Sequence, residues 1–377
     1  MAEQLTMVSL EEQLLANSFE KVFMGAAGSG GPSGSYIALA HSTSPYFTLL
    51  DHTTPGSVSE ADTYTLNGIG RAVGFSPDGN YIGVANSNVH FKILDHTTAG
   101  SVSLESTSQS LTSDNIFEMA FSPNGTYIAV GFLNKVSLLN YSNPSSVSNV
   151  ATHTFSPSAN TVRGLDFSPD GNYLAVAHQG TSSSAGSQVR FTLLDHTSAG
   201  SLSVSDTHSI NAAAGDYFGP YSVAFSPVGD YIAVGASANN AFGESINRHE
   251  VILLDHTSAG SVSAADTFDL NAKDRAMALA FSPDGNYLAV GHNQSPFFTL
   301  LDHTSAGSLS AADTQVISAN GVEQVVFSPD GKYIAIGHNS TTSTKFTLLD
   351  HTTAGSVSIS DTFTGTGIVY GVSFSAN

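Results

Sequence analysis

The chain has 377 residues, of which 11% are charged, and its 31 acidic against 11 basic side chains leave a net charge of -20. Nothing in that balance can displace the counterions of DNA or RNA, and it works against adsorption to anionic membranes. The absence of cysteine removes disulfides and thiolate chemistry, and no apolar run is long enough for a transmembrane helix.

Residues 1–31 read as a separate arm. Ser9-Leu10-Glu11-Glu12 is a capping box, with Ser9 as N-cap and Glu12 reaching back. Leu10, Leu14, Leu15, Phe19, Val22 and Phe23 follow at helical spacing and predict a short amphipathic helix. Gly25-Ala26-Ala27-Gly28-Ser29-Gly30-Gly31 is a flexible linker, which favours a docking role for the helix. The acidic start (Glu3, Glu11, Glu12) lacks the basic-then-apolar order of a secretory signal.

Residues 32–377 are a repeat. Its unit is clearest at Phe281-Ser282-Pro283-Asp284-Gly285-Asn286-Tyr287. Proline presets φ in the turn, aspartate bonds its own backbone two residues on, and glycine takes the left-handed position. Copies begin at Phe75, Phe121, Phe167, Phe225 and Phe327. A worn copy, Pro32-Ser33-Gly34-Ser35-Tyr36, opens the series, and Phe374-Ser375 ends it. The tyrosines Tyr36, Tyr81, Tyr127, Tyr173, Tyr231, Tyr287 and Tyr333 are spaced by 45, 46, 46, 58, 56 and 46 residues. Each unit carries four strand-like segments, three apolar (A to C) and one rich in Ser, Ala and Asp (D), as suits an exposed edge. Seven such units predict an all-β, seven-bladed propeller of four-stranded blades. The C-terminal strand, Ile368 to Phe374, is expected to complete the first blade and close the ring.

The Phe-Ser-Pro-Asp-Gly turn followed by Tyr-Leu-Ala-Val-Gly-His (Phe281 to His292) resembles the WD-repeat and YVTN-type propeller families. The resemblance covers residues 32–377 and implies the fold rather than a function. The chain has no tryptophan, so the hydrogen-bonded tetrad of WD repeats cannot be complete.

Two intervals are fixed: Phe to Tyr across the A–B turn, and the 11 residues from Asp51, Asp195, Asp255, Asp302 and Asp350 to a second aspartate. The B–C and D–A connections vary, so one face of the disc is uniform and the other is variable. Binding concentrates on variable loops held by a rigid scaffold. The longest belong to blades 4 and 5 and offer Tyr217, Phe218, Phe242 and Arg248 as contacts. The position four before each Phe should ring the channel mouth on that face. It reads Arg71, Phe117, Arg163, Tyr221, Met277, Glu323 and Tyr370, a set suited to an acidic or sugar group.

Asp-His-Thr recurs at Asp51, Asp95, Asp195, Asp255, Asp302 and Asp350. One copy per blade supplies at most two ligands, short of what zinc needs, so these are turn-capping residues. The strand B histidines His41, His178, His292 and His338 are too irregular for a metal ring. No nucleophile elbow, phosphate-cradling loop or His-Glu-x-x-His is present. The sequence therefore predicts neither cofactor nor metal and no enzymatic activity. Its low-charge Ser/Thr/Gly composition and near-identical blades resemble bacteriophage virion proteins. That implies a disc on a tail, fibre or capsid surface, docked by its arm on other structural proteins. Its variable face would then meet a host glycan or receptor, without membrane insertion or nucleic acid. The expected location is the virion, with the cytoplasm as the alternative. Two other readings stand beside it: an intracellular WD-repeat scaffold, and a glycan-binding or hydrolytic propeller using the blade 4 and 5 loops.

Overall fold

The structure, a computed structural model, describes residues 35–87, 91–107, 115–155, 161–178, 191–209, 220–236, 250–270, 275–317, 320–340, 344–365 and 367–376. Among them lie 28 strands in seven antiparallel sheets of four. No helix occurs among the described residues. The helix expected around Leu10 to Phe23 lies outside them, as does the linker.

The A–B hairpin forms for the reasons its residues suggest. In blade 6, Ser282 Oγ donates to Asp284 Oδ1 at 2.6 Å, and the same oxygen accepts Asn286 N–H at 3.0 Å. Tyr287 N–H donates back to Ser282 Oγ at 2.9 Å. Gly285 sits at φ +74°, where a Cβ would be strained. Burial acts to raise the Asp284 pKa, but the Ser282 and Asn286 donors outweigh it and hold the carboxyl below its usual range.

The ring closes as expected. The strand Val369–Phe374 pairs with Tyr36–His41, with Ile37 opposite Phe374 and Leu39 opposite Val372. Ser375 N–H also donates to the Tyr36 carbonyl at 2.8 Å. The first blade thus joins both ends of the described chain by backbone bonds.

The core lies between blades rather than within them. Ala278, Phe298 and Leu300 of blade 6 form one buried cluster with Val322, Val325, Ile334 and Ile336 of blade 7. Strands A to C supply these side chains, while the D strands run along the rim with mostly open faces. Since apolar area is removed from water only when blades touch, one blade has little stability of its own.

Asp-His-Thr serves this packing. Asp302 Oδ1 accepts Thr304 N–H at 2.9 Å and Thr304 Oγ1 at 2.6 Å, an Asx turn that ends strand C. His303 is buried edge-on between Tyr231 of blade 5 (5.1 Å) and Phe281 of its own blade (5.5 Å). The second aspartate of the C–D hairpin reaches the next blade. Asp62, Asp206, Asp266, Asp313 and Asp361 accept the N–H of Val102, Val262, Leu309, Val357 and Val58 at 2.7 to 2.8 Å. The strand B histidines hydrogen-bond within their blades: His41, His178, His292 and His338 each bond a strand C threonine at 3.0 to 3.1 Å.

Candidate functional site

Strand A of every blade lines the central channel. In blades 1, 2, 4, 6 and 7 its register slips by one residue just before the channel mouth. The extra residue is Tyr370, Arg71, Arg163, Met277 or Glu323, and a bulge of this kind re-aims one side chain without breaking the sheet. In blades 3 and 5 the strand stops earlier, at Glu118 and Ser222. Phe117 and Tyr221 nevertheless keep a backbone bond to strand B, to Gly131 O at 2.9 Å and Gly235 O at 2.8 Å. The five mouth residues singled out from sequence (Arg71, Arg163, Tyr221, Glu323 and Tyr370) thus stand at one level of seven adjacent strands.

They interact electrostatically. The Arg71 guanidinium lies 4.7 Å from the centre of the Tyr370 ring, and that of Arg163 lies 5.7 Å from Phe117. Arg275, just upstream of strand A in blade 6, stands 6.0 Å from the Tyr221 ring. Burial pushes the Glu323 carboxyl up, and Arg163 and Arg71 pull it back only in part. Burial likewise raises the Tyr221 hydroxyl against the opposing pull of Arg275 and Arg163. Arg71, Arg163 and Arg275 are three of only five arginines in the chain.

A cavity of about 360 Å3 occupies this part of the channel. Arg163, Tyr221, Met277 and Glu323 line it at the mouth, and Gly74, Glu118, Ala120, Asp166 and Gln324 line it further in. Glu118 and Asp166 were not singled out by the sequence reading. Glu118 stands three before Phe121, where the other blades have Ala72, Gly164, Ser222, Ala278, Gln324 and Gly371. Asp166 stands one before Phe167, where they have Gly74, Ala120, Ala224, Ala280, Val326 and Ser373. The signal was therefore present: two carboxylates at positions that no other blade fills with a charge.

Both are half-buried, and the protein packed around them strips water from the carboxyls. Burial pushes Glu118 up to about 8; Met119 N–H, donating to Oε1 at 3.0 Å, opposes this, and the Asp166 charge adds to it. Burial pushes Asp166 up to about 7 against the N–H groups of Phe225, at 2.7 Å, and Phe167. Shifts of this kind in a cavity mark carboxyls suited to proton transfer near neutral pH.

The variable-loop contacts Tyr217, Phe218, Phe242 and Arg248 lie outside the described residues.

A WD domain, G-beta repeat model matches residues 149–191, which span blade 3's outer strand and most of blade 4 up to strand C. No curated protein matches the sequence. Among solved structures, the Pseudomonas aeruginosa periplasmic gluconolactonase is 18% identical with a TM-score of 0.71, over 90% of this chain and 99% of that one. A Bacteroides uniformis protein provisionally named a 6-phosphogluconolactonase is 15% identical with a TM-score of 0.71, over 90% and 98%. A Lactobacillus plantarum protein is also 15% identical, with a TM-score of 0.72 over 90% and 98%.

These likenesses correct the functional expectation. None of the three is named as a virion component, and two carry the names of lactone-hydrolysing enzymes. The reading as a non-enzymatic disc on a phage tail or capsid, with host attachment, is therefore withdrawn. Ser/Thr/Gly richness misled because it comes from turns repeated in seven blades, and turns say nothing about where the disc is used. The repeat match and the seven closed blades together support the propeller family for this chain.

Proposed function

We propose that the protein is a hydrolase acting on a cyclic ester of a small sugar acid, with its reaction in the channel beneath the variable face. The observation that carries this is the convergence of Arg163, Tyr221 and Glu323 on one cavity that also holds two half-buried carboxyls. A volume of about 360 Å3 lies within the roughly 300–1,000 Å3 of small-molecule sites. Such a lactone is compact, with a carbonyl on one edge and hydroxyls on the others. Arg163 is the donor suited to the carbonyl oxygen, where negative charge develops when water attacks. Glu323, Gln324 and Tyr221 are suited to the hydroxyls, and Phe117 and Tyr370 give the mouth apolar faces. The names borne by the Pseudomonas and Bacteroides structures support the reaction class through the shared fold. On this reading the chemistry lies in the channel rather than on the blade 4 and 5 loops.

The test is acid release from a panel of aldonolactones, followed by pH-stat with the full chain. Wild type should exceed the buffer rate, and Arg163→Ala should lose about 100-fold in kcat/KM with an unchanged melting temperature. A wild type no faster than buffer on every lactone refutes the reading.

A further inference from the structure

We infer that Glu118 and Asp166 form the proton-handling pair of this site, Asp166 as the base that activates water and Glu118 as the acid that protonates the leaving oxygen. The inference rests on the hydrolase reading and assigns roles that neither the repeat nor the related structures supply.

Three observations carry it. First, the two carboxyls come from adjacent blades and line the same cavity as Arg163. Second, the blade architecture does not call for a charge at either place: the other blades fill the Glu118 position with small or neutral residues and the Asp166 position with uncharged ones, and the Ser373 hydroxyl accepts the next blade's Phe75 N–H as Asp166 accepts that of Phe225. Third, they are held differently. Asp166 is pinned by the Phe225 N–H of the next blade, which favours its charged form. Among the described residues Glu118 accepts a bond from its own neighbour, Met119, and none from another blade. The pair thus stores one proton on Glu118 while Asp166 is ionised, the division of labour that acid–base hydrolysis needs. The other charged and titratable groups that line this cavity are Arg163, Tyr221 and Glu323.

The reaction balances on these groups. Water attacks the lactone carbonyl carbon, forming a C–O bond, and gives one proton to Asp166. The resulting oxyanion faces the Arg163 guanidinium. Collapse breaks the bond from that carbon to the ring oxygen, which takes the Glu118 proton. Lactone and water become one hydroxy acid, and passage of the proton from Asp166 to Glu118 restores the starting state.

The experiment compares the full-length wild type with Glu118→Gln and Asp166→Asn. One readout is aldonolactone hydrolysis across pH; the other is 13C titration of the carboxyl groups, which needs no turnover. Each variant should lose at least 100-fold in kcat with KM changed less than threefold. Wild type should follow a bell-shaped profile whose limbs fall near neutrality, and Glu118→Gln should lose the alkaline limb. By NMR, two carboxyls should titrate near neutral pH in wild type, and Asp166 should titrate lower once Glu118 is neutralised. If both variants keep wild-type activity on an active enzyme, or both carboxyls titrate below pH 5, the pair is wrong while the hydrolase reading stands. If wild type hydrolyses no lactone, the hydrolase reading falls and takes the assigned roles with it.

Discussion

Six blades end strand C with Asp-His-Thr, whereas blade 3 ends it with Asn140-Tyr141-Ser142, and the two versions meet the same packing demand with different groups. Tyr141 lies edge-on to Tyr81 of blade 2 at 6.4 Å and to Phe121 at 5.1 Å, in the slot that histidine fills elsewhere. Asn140 Oδ1 accepts Ser142 N–H at 2.9 Å, so the Asx turn survives as well. Two other departures in blade 3 do not preserve what they replace. Ala151 stands where five blades have the aspartate that staples them to the next blade. Glu118 stands where other blades have small or neutral residues, and it carries a carboxyl that burial keeps from ionising at its usual pH. The comparison separates two kinds of change. A substitution that restores the same contact is drift within the repeat. One that costs the fold and faces a cavity calls for a functional reason.

The largest expected effect breaks the regular side of the ring. A Cβ on Gly164 would meet Val223 N at 2.8 Å and the Ser222 backbone at 3.0 Å. Gly164→Val should therefore force blades 4 and 5 apart at a cost of about 3 kcal/mol or more, seen as a lowered urea midpoint. Next comes the packing slot. His303→Ala empties a buried site between two rings and should cost about 2 kcal/mol. Tyr141→His should cost under about 1 kcal/mol, since it restores what the other blades have. A Tyr141→His loss equal to that of His303→Ala would show that the two slots are not equivalent.

Smaller effects test the staples. Asp206→Ala should cost about 1–2 kcal/mol by leaving Val262 N–H without its acceptor. Burial acts to raise the Asp206 pKa, but the N–H groups of Val262 and Thr207 hold it below its ordinary value. Its contribution is therefore present above the unfolded aspartate pKa of about 3.9 and is lost as pH falls through the lower folded value. Below that window wild type and Asp206→Ala should converge in melting temperature, which thermal scans across acid pH will show. Smallest is the sharpening change: Ala151→Asp should add the staple that blade 3 lacks and gain up to about 1 kcal/mol, read from the same denaturant curves.

Much of the fold was legible because its signals are local and repeated. The seven residues from Phe281 to Tyr287 fix a hairpin by the chemistry of Ser282, Asp284 and Gly285, and seven near-copies fix the ring. The incomplete ends announced the closure of the first blade. The mouth position was legible too, since a constant offset from Phe places Arg71, Arg163, Tyr221, Glu323 and Tyr370 at one level. What aims those side chains was hidden, because the bulge slips the pairing without altering any spacing in the chain. Glu118 and Asp166 were overlooked for a related reason. Each occurs in one blade only, at positions that come together only when strands from neighbouring blades line one channel. Arg275 lies outside the strand A positions compared and meets Tyr221 only through the ring.

The most direct measurement is a crystal structure of the full chain grown with an aldonate, the ring-opened product of the proposed reaction. Occupation of the channel is predicted, with the carboxylate against Arg163 and the freed hydroxyl within hydrogen-bond distance of Glu118. An aldonate bound on the outer loops, with the channel filled by solvent alone, would contradict the assignment of the site.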